Sequence, residues 1–208
     1  MCPGCRKKIR YIEEPRCMKC GKPVGKEETE FCRDCRKHSL AYTQGKSLWL
    51  HREPVSHAIY QFKYHNKRVY AKVFAEELAK RYGRQVYKWK IEEILPIPLH
   101  PSKQKKRGFN QAELLGRELG KQTGIPVNTE ALFRVKRTKP QKKLDDKERG
   151  ENMQGAFGVA KAWKPKNNVL LIDDIYTTGN TIHTAAKILK KAGVQNVYFL
   201  TISIGQGL

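Results

Sequence analysis

The chain has 208 residues, enough to bury one ordinary core plus a small appendage that needs its own staple. It contains no run of eighteen apolar residues, and Met1 to Cys5 begin no apolar leader, so no membrane insertion or secretory signal is expected and a cytoplasmic location follows. With 42 Lys and Arg against 20 Asp and Glu, the formal charge of +22 attracts anions: nucleic acid, an anionic membrane surface or polyphosphate metabolites.

Residues 1–40 are rich in Cys, Lys and Gly, poor in large aliphatics, and unable to form a core alone. They carry three Cys-x-x-Cys pairs, Cys2/Cys5, Cys17/Cys20 and Cys32/Cys35, with eleven residues between one pair and the next. In a reducing compartment such pairs are metal ligands rather than disulfides. Two knuckles clamp one tetrahedral Zn2+ through four thiolates, and all-thiolate ligation with no open position makes a structural metal. Gly21 after Cys20 suits a tight knuckle turn, and thiol redox chemistry is the alternative reading. Six thiolates exceed one site, and spacing alone does not choose which pairs share it.

Residues 41–208 have the texture of an ordinary domain. Ser47–His51 and Glu92–Ile97 read as strands, the second ending at Pro96 and Pro98. Val69, Val73, Leu78 and Tyr82 have helical spacing, and Gly83 is expected to close that helix. Pro101–Gly108 and Val135–Asn152 read as mobile basic connections. Between them, Gln111–Thr123 reads as a helix with Ala112, Leu115 and Leu119 on one face and Gly124 at its end. Phe157–Ala160 is a candidate edge strand. Next come a buried strand Val169–Ile172, a polar turn, a helix Asn180–Lys191 ended by Gly193, and a strand Val197–Ile204. Strand–helix–strand of this length suits a right-handed parallel crossover, so the fold class is α/β with a mainly parallel sheet.

The clearest chemistry lies in Val169–Thr181, where four apolar residues lead to Asp173 and Asp174, then Ile175, Tyr176, Thr177, Thr178, Gly179, Asn180 and Thr181. Open α/β sheets bind ligands at the carboxyl ends of their strands. A helix start there offers unpaired N–H groups and a positive dipole end to an anion. Two aspartates would repel a lone phosphate, but they accept hydrogen bonds from vicinal hydroxyls. A 5-phosphorylated ribose presents both features.

This segment resembles the phosphoribosyl diphosphate (PRPP) signature of type I phosphoribosyltransferases, although Tyr176 stands where an aliphatic is usual. Further blocks narrow the resemblance: Leu95–Pro101, Arg107–Gln111, then Pro140, Gln141, Leu144, Arg149, Asn152 and Gly155–Phe157. Together they resemble the ComF family, the competence-associated branch of this superfamily, over nearly the whole chain. The resemblance implies a type I phosphoribosyltransferase sheet behind a zinc ribbon, with Asp173 and Asp174 on the ribose and Thr177 to Thr181 on the 5-phosphate. It implies PRPP with Mg2+, possession of Cys17, Cys20, Cys32 and Cys35 as the intact ribbon, and Cys2 and Cys5 as remnants. A ribbon on the first two pairs has the same spacing and stays open.

Arg107, with Lys105 and Lys106, occupies the position of the loop that covers substrate, and a plain solvated basic run is the alternative. His100 stands at a strand end beside the expected pyrophosphate. Thr177 replaces the aspartate that assists a purine acceptor, so no purine is implied. The expected activity is phosphoribose transfer to an unidentified acceptor. The alternative is a non-catalytic module that senses PRPP or binds single-stranded DNA during uptake beside a helicase of the competence machinery.

Overall fold

The computed structural model describes residues 3–135 and 156–205. Its centre is a four-stranded parallel sheet in the order β1 (Gln44–Leu50), β6 (Asn196–Ile204), β5 (Asn168–Tyr176) and β2 (Glu93–Pro96). Leu171 is level with Phe199 of β6 and with Leu95 of β2. The apolar run of β5 follows from this position. Val169 and Leu171 enter one core and Leu170 and Ile172 the other, all with no exposure, as in a strand covered on both faces.

One face packs against α3 (Val55–Tyr64), α4 (Tyr70–Lys88) and α6 (Gln111–Thr123) through Ile59, Phe62, Phe74, Leu78, Leu115 and Leu119. Full burial of each such side chain contributes roughly 1.5–3 kcal/mol. The opposite face packs against α7 (Asn180–Lys191) through Ile182, Ala185, Ala186 and Leu189, and against the cysteine-rich segment through Ile12, Cys17, Cys20 and Cys32. That segment contains two short helices, α1 (Pro3–Lys8) and α2 (Arg33–Lys37). Beside the sheet, β3 (Leu132–Arg134) and β4 (Phe157–Val159) form an antiparallel pair, which gives the expected edge strand its neighbour. No helix among the described residues is long and apolar enough to cross a membrane.

Several elements differ from their sequence expectations. Gly83 does not close α4, which continues to Lys88 because Tyr82 and Val86 are both anchored in the core. A mid-helix glycine costs only about 1 kcal/mol relative to alanine, and the left-handed residue that follows the helix is Lys90, with φ of 51°. Pro101–Gly108 is no loose connection: Pro101–Arg107 form α5, started by Pro101 and by His100, whose side chain accepts from Ser102 N–H. Gly108 stops it in the left-handed region, with φ of 76°. The dense positive charge concealed an ordinary start and stop. Residues 55–64, which suggested no element, form α3. The strand before the phosphate loop runs on through Tyr176, so Asp173 and Asp174 belong to β5 rather than to a turn. The expected basic connection beyond Val135, with Pro140, Gln141, Leu144, Arg149 and Asn152, lies outside the described residues.

Candidate functional site

Pairing with β2 stops at Ile172, so the end of β5 from Asp173 to Tyr176 is held by β6 alone, and Gly205 N–H donates to the Tyr176 carbonyl to hold the exit of β6 against it. Thr177 and Thr178 are exposed, Gly179 is the N-cap of α7, and Asn180 begins the helix. Gly179 is required twice. Its φ of 80° is left-handed, and a Cβ at this position would lie 2.3 Å from Tyr176 Oη. The Gly179 carbonyl accepts from His183 N–H at 2.8 Å, and Thr178 Oγ1 accepts from Asn180 N–H at 3.5 Å. His183 Nδ1 in turn accepts from Ala41 N–H at 3.0 Å, tying α7 to the segment ahead of β1. A helix start of this kind leaves backbone N–H groups without partners inside the helix.

The acid pair has counter-charges on both sides, and the sequence pointed to neither. Lys63 of α3 places Nζ 2.8 Å from Asp174 Oδ1, with both side chains largely buried. Arg134 of β3 attracts Asp173 electrostatically while its guanidinium lies 5.1 Å from the Phe157 ring centre. Asp173 Oδ1 accepts from Asp174 N–H at 2.8 Å. Burial first, then the charge of Asp174, pushes the Asp173 carboxyl up to about 7. Helical spacing could have suggested α3, but only the tertiary contact shows which of its lysines meets an aspartate.

The second resemblance block is a corner between helices. Arg107 ends α5 and donates to Tyr64 Oη at 3.0 Å and to Gln111 Oε1 at 2.9 Å, with its guanidinium 4.7 Å from the Tyr64 ring centre. Phe109 is buried beneath Arg68 at 4.8 Å. Buried Asn110 donates to Ile97 O at 3.0 Å and accepts from Ala112 N–H at 3.1 Å, which starts α6 and pins the segment after β2. His100 caps α5 through Nδ1, a structural role whatever else it contacts. Arg107 is thus fastened to α3 beside Lys63, while Lys105 and Lys106 lie exposed on the same helix.

Cys17, Cys20, Cys32 and Cys35 converge with their sulfurs within 4.8 Å of one another. Cys17 accepts from Gly21 N–H to make the knuckle turn, with Gly21 at φ of 74°, and Cys32 caps α2. Lys22 joins the two knuckles by pairing with Asp34 at 2.7 Å. Tetrathiolate zinc has bonds of about 2.3 Å and hence sulfurs roughly 3.8 Å apart, close to the 3.7 Å between Cys20 and Cys32. Hydrogen bonds from Cys20 and Cys35 pull the Cys17 thiol down, and the same sulfur cluster pushes Cys20 up and Cys35 up to about 12. Four thiol sulfurs this close together, none of them in a disulfide, are a donor set that fits a divalent zinc. Cys5 lies in α1, and Cys2 lies outside the described residues.

The chain is similar to two known domain families and to several known proteins. Residues 1–36 match the double zinc ribbon domain family and residues 105–203 match the phosphoribosyl transferase domain family. The chain is similar to competence protein F of Haemophilus influenzae, with 33% identity over 95% of this chain and 87% of that one. It is also similar to competence protein ComFC of Bacillus subtilis, with 30% identity over 93% of this chain and 79% of that one. Among solved structures, adenine phosphoribosyltransferase of Leishmania tarentolae superposes with a TM-score of 0.43 and 16% identity, covering 70% of this chain and 75% of that one.

Proposed function

The chain belongs to the ComF family of competence proteins, and from that premise we propose that its acid pair and threonine loop bind PRPP and transfer phosphoribose to an acceptor. The observation that carries this reading is the continuity of Asp173, Asp174 and the Gly179 turn at one strand end. Asp173 and Asp174 accept hydrogen bonds from the ribose hydroxyls. Thr177, Thr178, Asn180 and Thr181 receive the 5-phosphate at the start of α7, where Gly179 admits close approach of the backbone.

Carboxylate oxygens are hard ligands of the kind Mg2+ takes, and a cation at the pair would offset both the burial and the charge of Asp174 that raise the Asp173 carboxyl. When bound with PRPP, magnesium would neutralise the pyrophosphate as it leaves. The chain's own share is cationic: Arg107 on Tyr64 and the lysines of α5 favour charge developing on the leaving group, and His100 lies on the same side. The four-cysteine cluster holds a structural zinc and takes no part in the chemistry. The +22 charge and the competence proteins it resembles favour a second role, electrostatic binding of single-stranded DNA during uptake, beside a helicase.

Calorimetric titration of PRPP with MgCl2 tests the reading. Wild type should bind, and the Asp173→Ala/Asp174→Ala variant should bind at least about tenfold more weakly. Equal affinity of the two proteins removes the acid pair from the site. Binding without pyrophosphate release across candidate acceptors leaves a sensor and removes the transferase.

A further inference from the structure

Beside the acid pair lies a cleft of about 440 Å³ on the α3 side of the sheet, lined by His51, His57, Tyr60, Lys63, Tyr64 and Ile175. The PRPP reading leaves it without a role. It adjoins the ribose position directly: Ile175 follows Asp174 in β5, and Lys63 lines the cleft while its Nζ bonds Asp174 Oδ1. We infer that this cleft is the acceptor subsite and takes a planar heteroaromatic carboxylate, an inference that rests on PRPP being the donor.

Three features select that class. The first is exposed aromatic surface: Tyr60 and Tyr64 are about half exposed at 51% and 55%, and their centroids are 5.0 Å apart with the rings tilted by 46°, so each offers its own face and not a shared plane. Such an exposed pair beside a cleft offers a face for a ring to stack on. The second is charge. Lys63 lines the cleft, and Arg107 lies over the outer ring of Tyr64. Against them stands one lining acid, Glu53, which accepts from Ser56 Oγ at 2.7 Å. The third is size, since the volume suits one small ligand and offers no extended track for a polynucleotide.

The arrangement also orders the two substrates. While Lys63 is held by Asp174 its charge is spent, and ribose hydroxyls engaging Asp174 release part of it to an anion in the cleft. In the transfer, a ring nitrogen of the acceptor forms the bond to C1 and the C1–O bond breaks. Its electron pair leaves on pyrophosphate, and a ring proton, where the nitrogen carries one, passes to water.

The test uses the full zinc-loaded chain, with and without PRPP and MgCl2, and reads tyrosine fluorescence and calorimetry. The probes are orotate and nicotinate, their neutral counterparts uracil and nicotinamide, and a ten-residue oligothymidylate. The expected result is that one acid binds roughly tenfold more tightly than its neutral counterpart, and more tightly still with PRPP present. Tyr60→Ala and His57→Ala, both on the α3 surface, should weaken acid binding about tenfold while PRPP affinity holds. If PRPP binds but acids and neutral rings bind alike, the cleft inference is overturned and the PRPP reading stands. If the oligothymidylate alone responds to Tyr60→Ala, the cleft belongs to a nucleic-acid strand and the inference is likewise overturned. If PRPP does not bind, the donor reading falls and the acceptor role falls with it, even where acid binding persists.

Discussion

The Tyr176 hydroxyl at the end of β5 lies 2.7 Å from the Tyr42 hydroxyl, joining the phosphate loop to the segment that leads out of the cysteine ribbon. Phe199 stacks on Tyr176 with centroids 4.9 Å apart and meets Tyr42 edge-on at 4.9 Å. The chain makes room for Phe199 with Gly45, whose added Cβ would fall 2.0 Å from that ring. A Cβ on Gly21 of the first knuckle would lie 2.9 Å from the Gly45 carbonyl oxygen. Knuckle, β1, β6 and phosphate loop are therefore packed in one contiguous line. Burial pushes both tyrosine hydroxyls well above their ordinary range, so they remain protonated and hydrogen-bonded at any working pH.

Tyr42→Phe leaves the Tyr176 hydroxyl buried without its partner and should destabilise the fold by roughly 1–3 kcal/mol in urea unfolding. Tyr42→Phe/Tyr176→Phe should cost less than the two single changes added together, because neither orphan then exists. Strict additivity of the two would show that the hydroxyls do not interact.

Gly179→Ala places a side chain at a left-handed φ of 80° and drives its Cβ toward Tyr176 Oη. The left-handed region alone costs about 1–2 kcal/mol. The expected outcome is a lower melting temperature and weakened PRPP binding. Adding Tyr176→Leu and Tyr42→Phe, which removes the obstructing hydroxyl without orphaning its partner, should recover part of both. A Gly179→Ala protein indistinguishable from wild type would mean that the loop reshapes freely.

Asp173 gives a pH signature whose sign is fixed by its raised pKa. Between the unfolded value near 3.8 and about 7, the folded state holds a proton that the unfolded state releases. Its stabilising contribution is therefore full below about 4 and is lost as pH rises through about 7. PRPP binding should run the other way, strengthening through the same range as the carboxylate forms. Asp173→Asn should flatten both profiles. Lys63→Met, which removes a nearby positive charge, should move the Asp173 titration upward by carboxyl carbon NMR. An unchanged titration would place Lys63 electrostatically apart from Asp173.

The cysteine geometry predicts one zinc held by the last two pairs. Metal release assays on Cys17→Ser and Cys32→Ser should show that zinc lost, whereas Cys2→Ser/Cys5→Ser should retain it. Chelation should lower the melting temperature, because Cys17, Cys20 and Cys32 lie in the same buried cluster as Tyr42, Tyr176 and Phe199. Retention of the zinc in Cys32→Ser would assign it to the earlier pairs.

Local signals carried much of this protein. The apolar run Val169–Ile172, the glycines that close α6 and α7 and the Cys-x-x-Cys spacing are each written within a few residues, and the elements they mark formed, although β5 runs on to Tyr176. Failures came where one local signal had two meanings. Gly83 can stop a helix or ride within one, and the neighbouring anchors Tyr82 and Val86 decided for the second. The charge of Lys103–Arg107 concealed a helix with no buried residue, which no apolar periodicity could have marked.

The sequence by itself determined the class of fold, the acid pair beside a threonine run, and three Cys-x-x-Cys pairs whose spacing did not say which of them share a metal, because each depends on residues close together in the chain. Only the tertiary structure decided what stands around them. Lys63 and Asp174 are 111 positions apart, and Tyr42 and Tyr176 are separated by 134. These pairs meet because a parallel sheet delivers its strand ends to one edge and packs α3 on one face of it and the ribbon on the other. No local pattern records which distant charge or hydroxyl that packing brings into contact.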